Sequence, residues 1–371
     1  MTHYEVIVIG SGVAGSAAAY QLASHRQVLL LEQHEFLHLH GSSHGGSRIF
    51  RHAYEDARYV RLAVAADERW RALERDAGER LLYRTGGVDI GKADNPELAS
   101  IERALSAAGR PVEQLEAGQV RKRFPAFHLS DDQVALWQED AGILPATRCL
   151  NAMQRLAVAR GASLQAGETV REIHPAANHL EIVTSRRRYA ADHLVMTTGA
   201  WLGELLPYAL PLFVEQQQVL YLRVERGVDF LPEAFPVFIN RDSNVYGFPL
   251  FDHPTAVKVS DHSGAPTIRL EDRSYQLDEA RADATIRQLR GFLPGVTKEL
   301  VSFQTCLYTK TPDEHFVIGR HPEHPNLIFA GGFSGHGFKF GPLLGEILME
   351  LVLAGKSKHD LELFNPGRFR S

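Results

Sequence analysis

Gly10-Ser-Gly12-Val-Ala-Gly15 follows a short apolar run, EVIVI at 5–9, and opens an alanine-rich segment that continues to about Ala23. A G-x-G-x-x-G set between a strand and a helix restricts the fold more than composition does. The first glycine permits a tight turn, the second lets backbone approach a pyrophosphate, and the third lets the helix close on the strand. Val28 to Glu32 make the second strand, and Glu32 ends it at the distance expected of an acid that bonds ribose hydroxyls. The chain therefore opens as a βαβ unit that binds a dinucleotide, NAD or FAD.

Helical spacing marks Tyr59, Leu62, Ala66, Trp70 and Leu73, then Leu150, Met153 and Leu156 within 148–159. It marks Ala282, Ile286, Leu289 and Leu293 within 280–293, a helix stopped by Pro294-Gly295. LEIVTS at 180–185 and HLVMTTGAW at 193–201 read as strands returning to the first sheet. Residues 212–224 and 236–260 alternate as antiparallel strands do, and LIFAGG at 327–332 reads as a last strand. The expected organisation is α/β plus α+β. A discontinuous nucleotide-binding domain takes 1–83, 146–211 and 307–371, and an inserted, mostly antiparallel domain takes 84–145 and 212–306.

A net charge of −5 without a long basic run argues against a nucleic-acid partner. No stretch reaches the roughly 18 apolar residues of a membrane span. Two cysteines, Cys149 and Cys306, are too few for a disulfide framework, so a reducing, cytoplasmic setting is expected. The start MTHYEVIVIGSG lacks the basic n-region of a signal peptide and is read as the first strand.

Residues 34–54 carry His34, His38, His40, His44, Arg48 and Arg51 among glycines and serines. A metal site wants stiffer ligands with carboxylates or thiolates added, so no metal is expected and most of these histidines are read as surface residues. Arginine forks in such a loop suit a phosphate or a substrate carboxylate, with solvated surface arginines as the alternative. FAD is favoured over NAD by the N-terminal position of the fingerprint. It is also favoured by Thr197-Thr198-Gly199-Ala200-Trp201, similar to the T-G-A segment of FAD amine oxidases. Gly199 is taken as a cofactor-binding position, and Val170 is placed with it.

GSSHGGSRIFRHAY at 41–54, YGFP at 246–249, TCLYTKTPDEHF at 305–316 and GFSGHGFKF at 332–340 together resemble the monomeric sarcosine oxidase family, which includes N-methyltryptophan oxidase. The resemblance spans nearly the whole chain. It implies a fold of the p-hydroxybenzoate hydroxylase type, with a Rossmann-type FAD domain and a sheet-rich substrate domain, acting as a monomer. It implies oxidation of a small secondary amino acid by O2, giving H2O2 and an imine that hydrolyses to amine plus aldehyde. It implies FAD joined covalently through sulfur at the 8α position, with Cys306 at the matching position. Read from its strand alone, Cys306 is a small buried hydrophobe. Arg51 and Lys339 match the pair that holds the substrate carboxylate, and Lys258 the lysine near flavin N5 that activates oxygen. His44 and Arg48 match basic residues around the flavin, and Tyr246, His262 and Tyr308 match pocket-lining side chains. As strand aromatics the two tyrosines equally suit a core.

The family's G-S-H-H-G-D-T-R is here GSSHGGSR, so Ser43 replaces a histidine and Gly46 an aspartate. Glycines are also lost between Tyr246 and His262, beside the substrate. Proline, pipecolate or N-methyltryptophan therefore stay open as substrates, as does a non-oxygen electron acceptor. In GGFSGHGFKFG at 331–341, Gly335 and Gly337 are expected to let backbone N–H groups and the next helix start reach the cofactor. His336 has no assigned role.

Overall fold

The structure is a computed structural model that describes residues 1–176, 179–262 and 264–369. The strand Thr2–Ile9 sits in an eight-stranded sheet, flanked in parallel by Val28–Leu31 and Arg188–Met196. Ser163–Gln165 extends the sheet beyond Val28–Leu31. Arg188–Met196 pairs antiparallel with Leu180–Thr184 through its first half and parallel with Leu327–Gly331 through its last residues. Distant parts of the chain thus meet at the carboxyl ends of parallel strands, where open α/β sheets bind ligands.

The fingerprint helix Val13–Leu22 is buried at nearly every position, as its alanine-rich, all-round apolar sequence demands. It packs against helices Ala146–Ala159 and Gly341–Ala354. Helix Ala57–Ala77 starts on Asp56, whose side chain accepts the Arg58 N–H, and ends at Gly78 in the left-handed conformation. Its buried face carries Tyr59, Leu62, Ala66, Trp70 and Leu73, the spacing read from sequence.

A second sheet of nine strands runs antiparallel except where Val237–Asn240 lies parallel to Gly87–Lys92. Its longest pairing joins Phe213–Val224 to Val296–Lys310, from Phe213 opposite Lys310 to Val224 opposite Val296. Val296–Lys310 is one continuous strand that runs through residues 306 and 307, where the expected domain division falls. Helix Glu279–Phe292, capped by Asp278, covers this sheet with Ala282, Ile286 and Leu289 inward. A small third sheet joins Arg48–Phe50, Gly142–Leu144 and Tyr83–Arg84. It holds the 41–54 loop between the two larger sheets. Among the described residues, no helix is long and apolar enough to cross a membrane.

Candidate active site

One cavity of about 960 Å³ runs from the fingerprint to the second sheet. Gly10, Gly12, Glu32, Val170 and Gly199 line one end, and Arg51, Tyr246, His262, Tyr308 and Lys339 line the other. His44, Arg48, Lys258, Cys306, Gly335 and Gly337 line the stretch between. Gly15 does not line it. A Cβ there would strike the Gly10 carbonyl oxygen, so this glycine serves the helix–strand contact and leaves the ligand to Gly10 and Gly12.

Gly10 turns at φ 94°, and a Cβ on it would sit 2.6 Å from the Thr197 carbonyl oxygen. The fingerprint turn and the TTGAW segment are therefore pressed together by design of sequence. Glu32 accepts the Ser11 N–H and Ser11 hydroxyl, each at 2.9 Å, and the His34 N–H at 3.1 Å. Burial alone would raise its pKa. Hydrogen bonds from His38, Ser11 and His34 outweigh that and lower it to about 2. His38, with Nε2 3.4 Å from Glu32, is thus a partner of that buried acid, unlike the surface setting expected for most of these histidines. Among the described residues, no three His, Cys, Asp or Glu groups are arranged to hold a metal.

The start of the 41–50 loop is clipped to both neighbouring parts of the chain. Ser43 Oγ accepts the Val13 N–H at 3.1 Å, and Ser42 donates to the Leu307 carbonyl at 2.5 Å. Arg48 binds its own loop, donating to the carbonyls of Ser42, His44 and Ser47. His44 is buried with neither ring nitrogen partnered, and burial followed by Arg48 lowers its pKa to about 3. Thr198 Oγ1 and Arg51 Nη1 are likewise buried without partners. The orphaned His44 and Thr198 groups on this cavity, with a glycine-lined helix start and an ionised Glu32, fit a bound dinucleotide that partners them. Cys306 is a free, buried thiol on the same wall, and burial raises its pKa.

At the far end Lys339 Nζ donates to Tyr54 Oη and to the His336 carbonyl, both at 2.8 Å. The Arg51 guanidinium lies 4.5 Å over the Tyr54 ring. Tyr54 thus joins two cations at one point. Burial first, then Arg51 and Arg241, holds the Lys339 pKa well below its usual value. A bound carboxylate would relieve that strain of like charges. His336 Nδ1 meets Tyr54 Oη at 3.0 Å, and its ring packs 4.6 Å from Phe316, so it braces Tyr54 from behind. Opposite, Tyr246 Oη and Tyr308 Oη are 3.2 Å apart, and the His262 ring lies 5.4 Å from that of Tyr308. Burial is the main reason His262 falls to about 4, which leaves it neutral at pH 7. Gly335, at φ 80°, takes a shape that a side chain would spoil, since a Cβ would enter the Tyr308 ring.

Tyr54, Ser47, Arg241 and Asp252 were not singled out from sequence. Only Tyr54 and Ser47 lie in a motif that was quoted, and neither differs from an ordinary strand or loop residue there. Lys258 Nζ, buried, donates to the Ser47 carbonyl at 2.8 Å and Ser47 Oγ at 3.2 Å. Burial, then Arg48, lowers its pKa to about 7.

A glycine-lined dinucleotide cleft that continues into a cation-lined end wall defines an FAD-dependent oxidoreductase. The chain matches the family described as DAO, FAD dependent oxidoreductase, over residues 5–351. It is 37% identical to monomeric sarcosine oxidase of Streptomyces avermitilis, covering 98% of this chain and 97% of that one. It is 32% identical to N-methyl-L-tryptophan oxidase of Salmonella dublin, covering 99% of each. A solved structure of NikD, an amino acid oxidase of nikkomycin biosynthesis, superposes with a TM-score of 0.87 at 26% identity, covering 99% of this chain and 98% of that one. The protein belongs to the sarcosine oxidase and N-methyltryptophan oxidase family of FAD-dependent amine oxidoreductases.

Proposed function

We propose that the protein is a monomeric flavoprotein oxidase of small N-methyl amino acids of the sarcosine type, with FAD linked covalently through Cys306. The reading is carried by one observation: Arg51 and Lys339 converge on Tyr54, with a buried, unpartnered Arg51 Nη1 at the cavity wall. Such a pair suits the carboxylate of an amino acid. FAD, which Gly10, Gly12, Glu32 and Cys306 would hold, would supply the two-electron acceptor, with O2 as the final acceptor and H2O2 as product.

The chain's own residues orient and discriminate. Arg51 and Lys339 hold the carboxylate and fix the amine relative to the wall made by Tyr246, His262 and Tyr308. These cations lower the amine's pKa and so favour the neutral form, whose lone pair oxidation requires. His262, itself neutral, is available to take the amine proton. Oxidation of the C–N unit leaves an imine, and water converts it to amine and aldehyde. Lys258, buried beside Arg48 and Cys306, stabilises negative charge as oxygen is reduced. The two tyrosine hydroxyls and His262 close the far wall, which favours a small substrate over an indole.

The test is anaerobic bleaching of the flavin by a panel of N-methyl and cyclic amino acids. Sarcosine-sized substrates should bleach fastest, with peroxide formed on readmitting air. A protein bleached by none of them would defeat the reading. Acid-precipitated wild type should stay yellow, whereas Cys306→Ser should release its colour. Covalent flavin retained in Cys306→Ser would move the linkage elsewhere. Fractionation and sedimentation check the cytoplasmic, monomeric assignment.

A further inference from the structure

Asp252 reaches Lys258 through a single hydroxyl. Ser47, wholly buried, donates its Oγ–H to Asp252 Oδ2 at 3.2 Å and accepts from Lys258 Nζ at the same oxygen, also at 3.2 Å. A serine hydroxyl has one proton. While Asp252 takes that proton's bond, the oxygen's lone pairs must face the lysine. Tyr221 donates to the same Asp252 oxygen at 2.9 Å, so Oδ2 accepts two hydrogen bonds. Oδ1 of Asp252 is buried with no partner, so the side-chain hydrogen bonds of the carboxylate run through Oδ2.

The space for Asp252 comes from Gly46. A Cβ at Gly46 would collide with the Asp252 carboxylate. Gly46 does not occupy the left-handed region, so the glycine serves room and not backbone shape. Position 46 is also where the family's loop pattern carries an aspartate. Asp252 comes from the segment between strands Val245–Gly247 and Ala256–Asp261. The charged and titratable groups facing Lys258 are Arg48 and His44 from the loop, Cys306 from the long strand, and Asp252 with Tyr221. In that set Asp252 is the carboxylate that opposes Arg48.

We propose that Asp252 is a positioning residue that, through Ser47, holds Lys258 as an oriented ammonium, doing from position 252 what an acid at position 46 would do. The proposal rests on the reading that Lys258 serves oxygen reduction. The carboxylate favours the charged lysine, so removing it makes Lys258 neutral at lower pH.

The experiment follows Lys258 directly in the holoenzyme by ¹³Cε-lysine NMR titration, with Lys258→Met assigning the signal, and follows reoxidation by O2 against pH. Asp252→Asn should lower the Lys258 midpoint by about 1–3 pH units, the usual effect of a carboxylate at this range. The high-pH decline of reoxidation should move down with it, while anaerobic reduction changes far less. Gly46→Asp/Asp252→Ser should return both midpoints toward wild type, a rescue that repacking alone would not give. Should Asp252→Asn fold poorly, Ser47→Ala cuts the same path and should lower the midpoint. An unmoved Lys258 midpoint in Asp252→Asn or Ser47→Ala overturns the proposal, as does a double variant that folds but restores nothing. If Lys258→Met reoxidises as fast as wild type, the role of Lys258 falls, and the NMR midpoints still decide whether Asp252 holds the ammonium.

Discussion

Arg51→Met is the most informative single change at the end wall. It removes a guanidinium whose Nη1 is buried and unpartnered, so in the free protein it breaks no hydrogen bond at that atom. Its cost should fall on carboxylate binding. Removing one partner of a desolvated charge pair costs about 2–5 kcal/mol. The structure argues for the lower part of that range. Lys339 remains, and Arg51 is one of the groups that depress its pKa after burial. Without Arg51 the lysine protonates more readily and recovers part of the loss. We therefore expect about 2–3 kcal/mol, or roughly 30- to 150-fold in Kd. The assay is titration of the flavin absorbance with propionate, a carboxylate that lacks the amine, over a range of pH. In wild type, binding should weaken as pH rises and Lys339 loses its proton. In Arg51→Met that weakening should begin at higher pH. An unchanged Kd, or an unchanged pH profile, would show that the two cations do not share one anion.

Tyr54→Phe removes the hydroxyl that accepts from Lys339 and meets His336. Leaving these buried groups short of a partner should cost about 1–3 kcal/mol, read as a lower chemical-denaturation midpoint with weakened propionate binding. Gly335→Ala should lower Tm and slow flavin reduction together, because the new Cβ displaces the Tyr308 ring; a normal reduction rate would argue against Tyr308 at the substrate wall. Glu32, at about 2 against an ordinary 4.5, contributes stability that is present above pH 4.5 and is lost as pH falls toward 2. Denaturation midpoints of wild type should therefore fall more steeply with acid than those of Glu32→Gln. His262, at about 4, stays neutral above about pH 5, so the pH profile of reduction should show no His262 step near 6.5. A step there that vanishes in His262→Asn contradicts it.

Local chemistry was legible in the sequence where one segment carries the whole signal. The fingerprint reads from glycine spacing with its flanking strand and helix, and helices Ala57–Ala77 and Glu279–Phe292 read from apolar periodicity, whereas their caps Asp56 and Asp278 emerged only in the structure. The long pairing of Phe213–Val224 with Val296–Lys310 could be anticipated only as two alternating strands, because nothing local encodes their register. The parallel pairing of Val237–Asn240 with Gly87–Lys92 joins segments about 150 residues apart and was invisible. The site divides in the same way. Arg51, Lys339 and Lys258 were reached through the family resemblance, whereas Tyr54 and Asp252 make contacts that sequence does not display. Tyr54 meets Lys339 across 285 residues, and Asp252 meets Ser47 across 205. His336 had no role assigned from sequence, and its ring spends both nitrogens on Tyr54 and the Glu314 carbonyl.

The end wall is assembled from two sources. Arg51 follows the strand Arg48–Phe50, and Lys339 lies in the turn before helix Gly341–Ala354, a helix packed on the fingerprint helix. Tyr246, His262 and Tyr308 come from the strands of the second sheet and the turn after one of them. In the proposed reading, the part of a substrate common to every amino acid is met by one half of the protein, and the part that varies is met by the other. Insertions, deletions and drift in the outer turns of the second sheet can then explore new side chains while the grip on the carboxylate is inherited unchanged. A lineage built this way diversifies in what it oxidises without first losing the ability to recognise an amino acid at all.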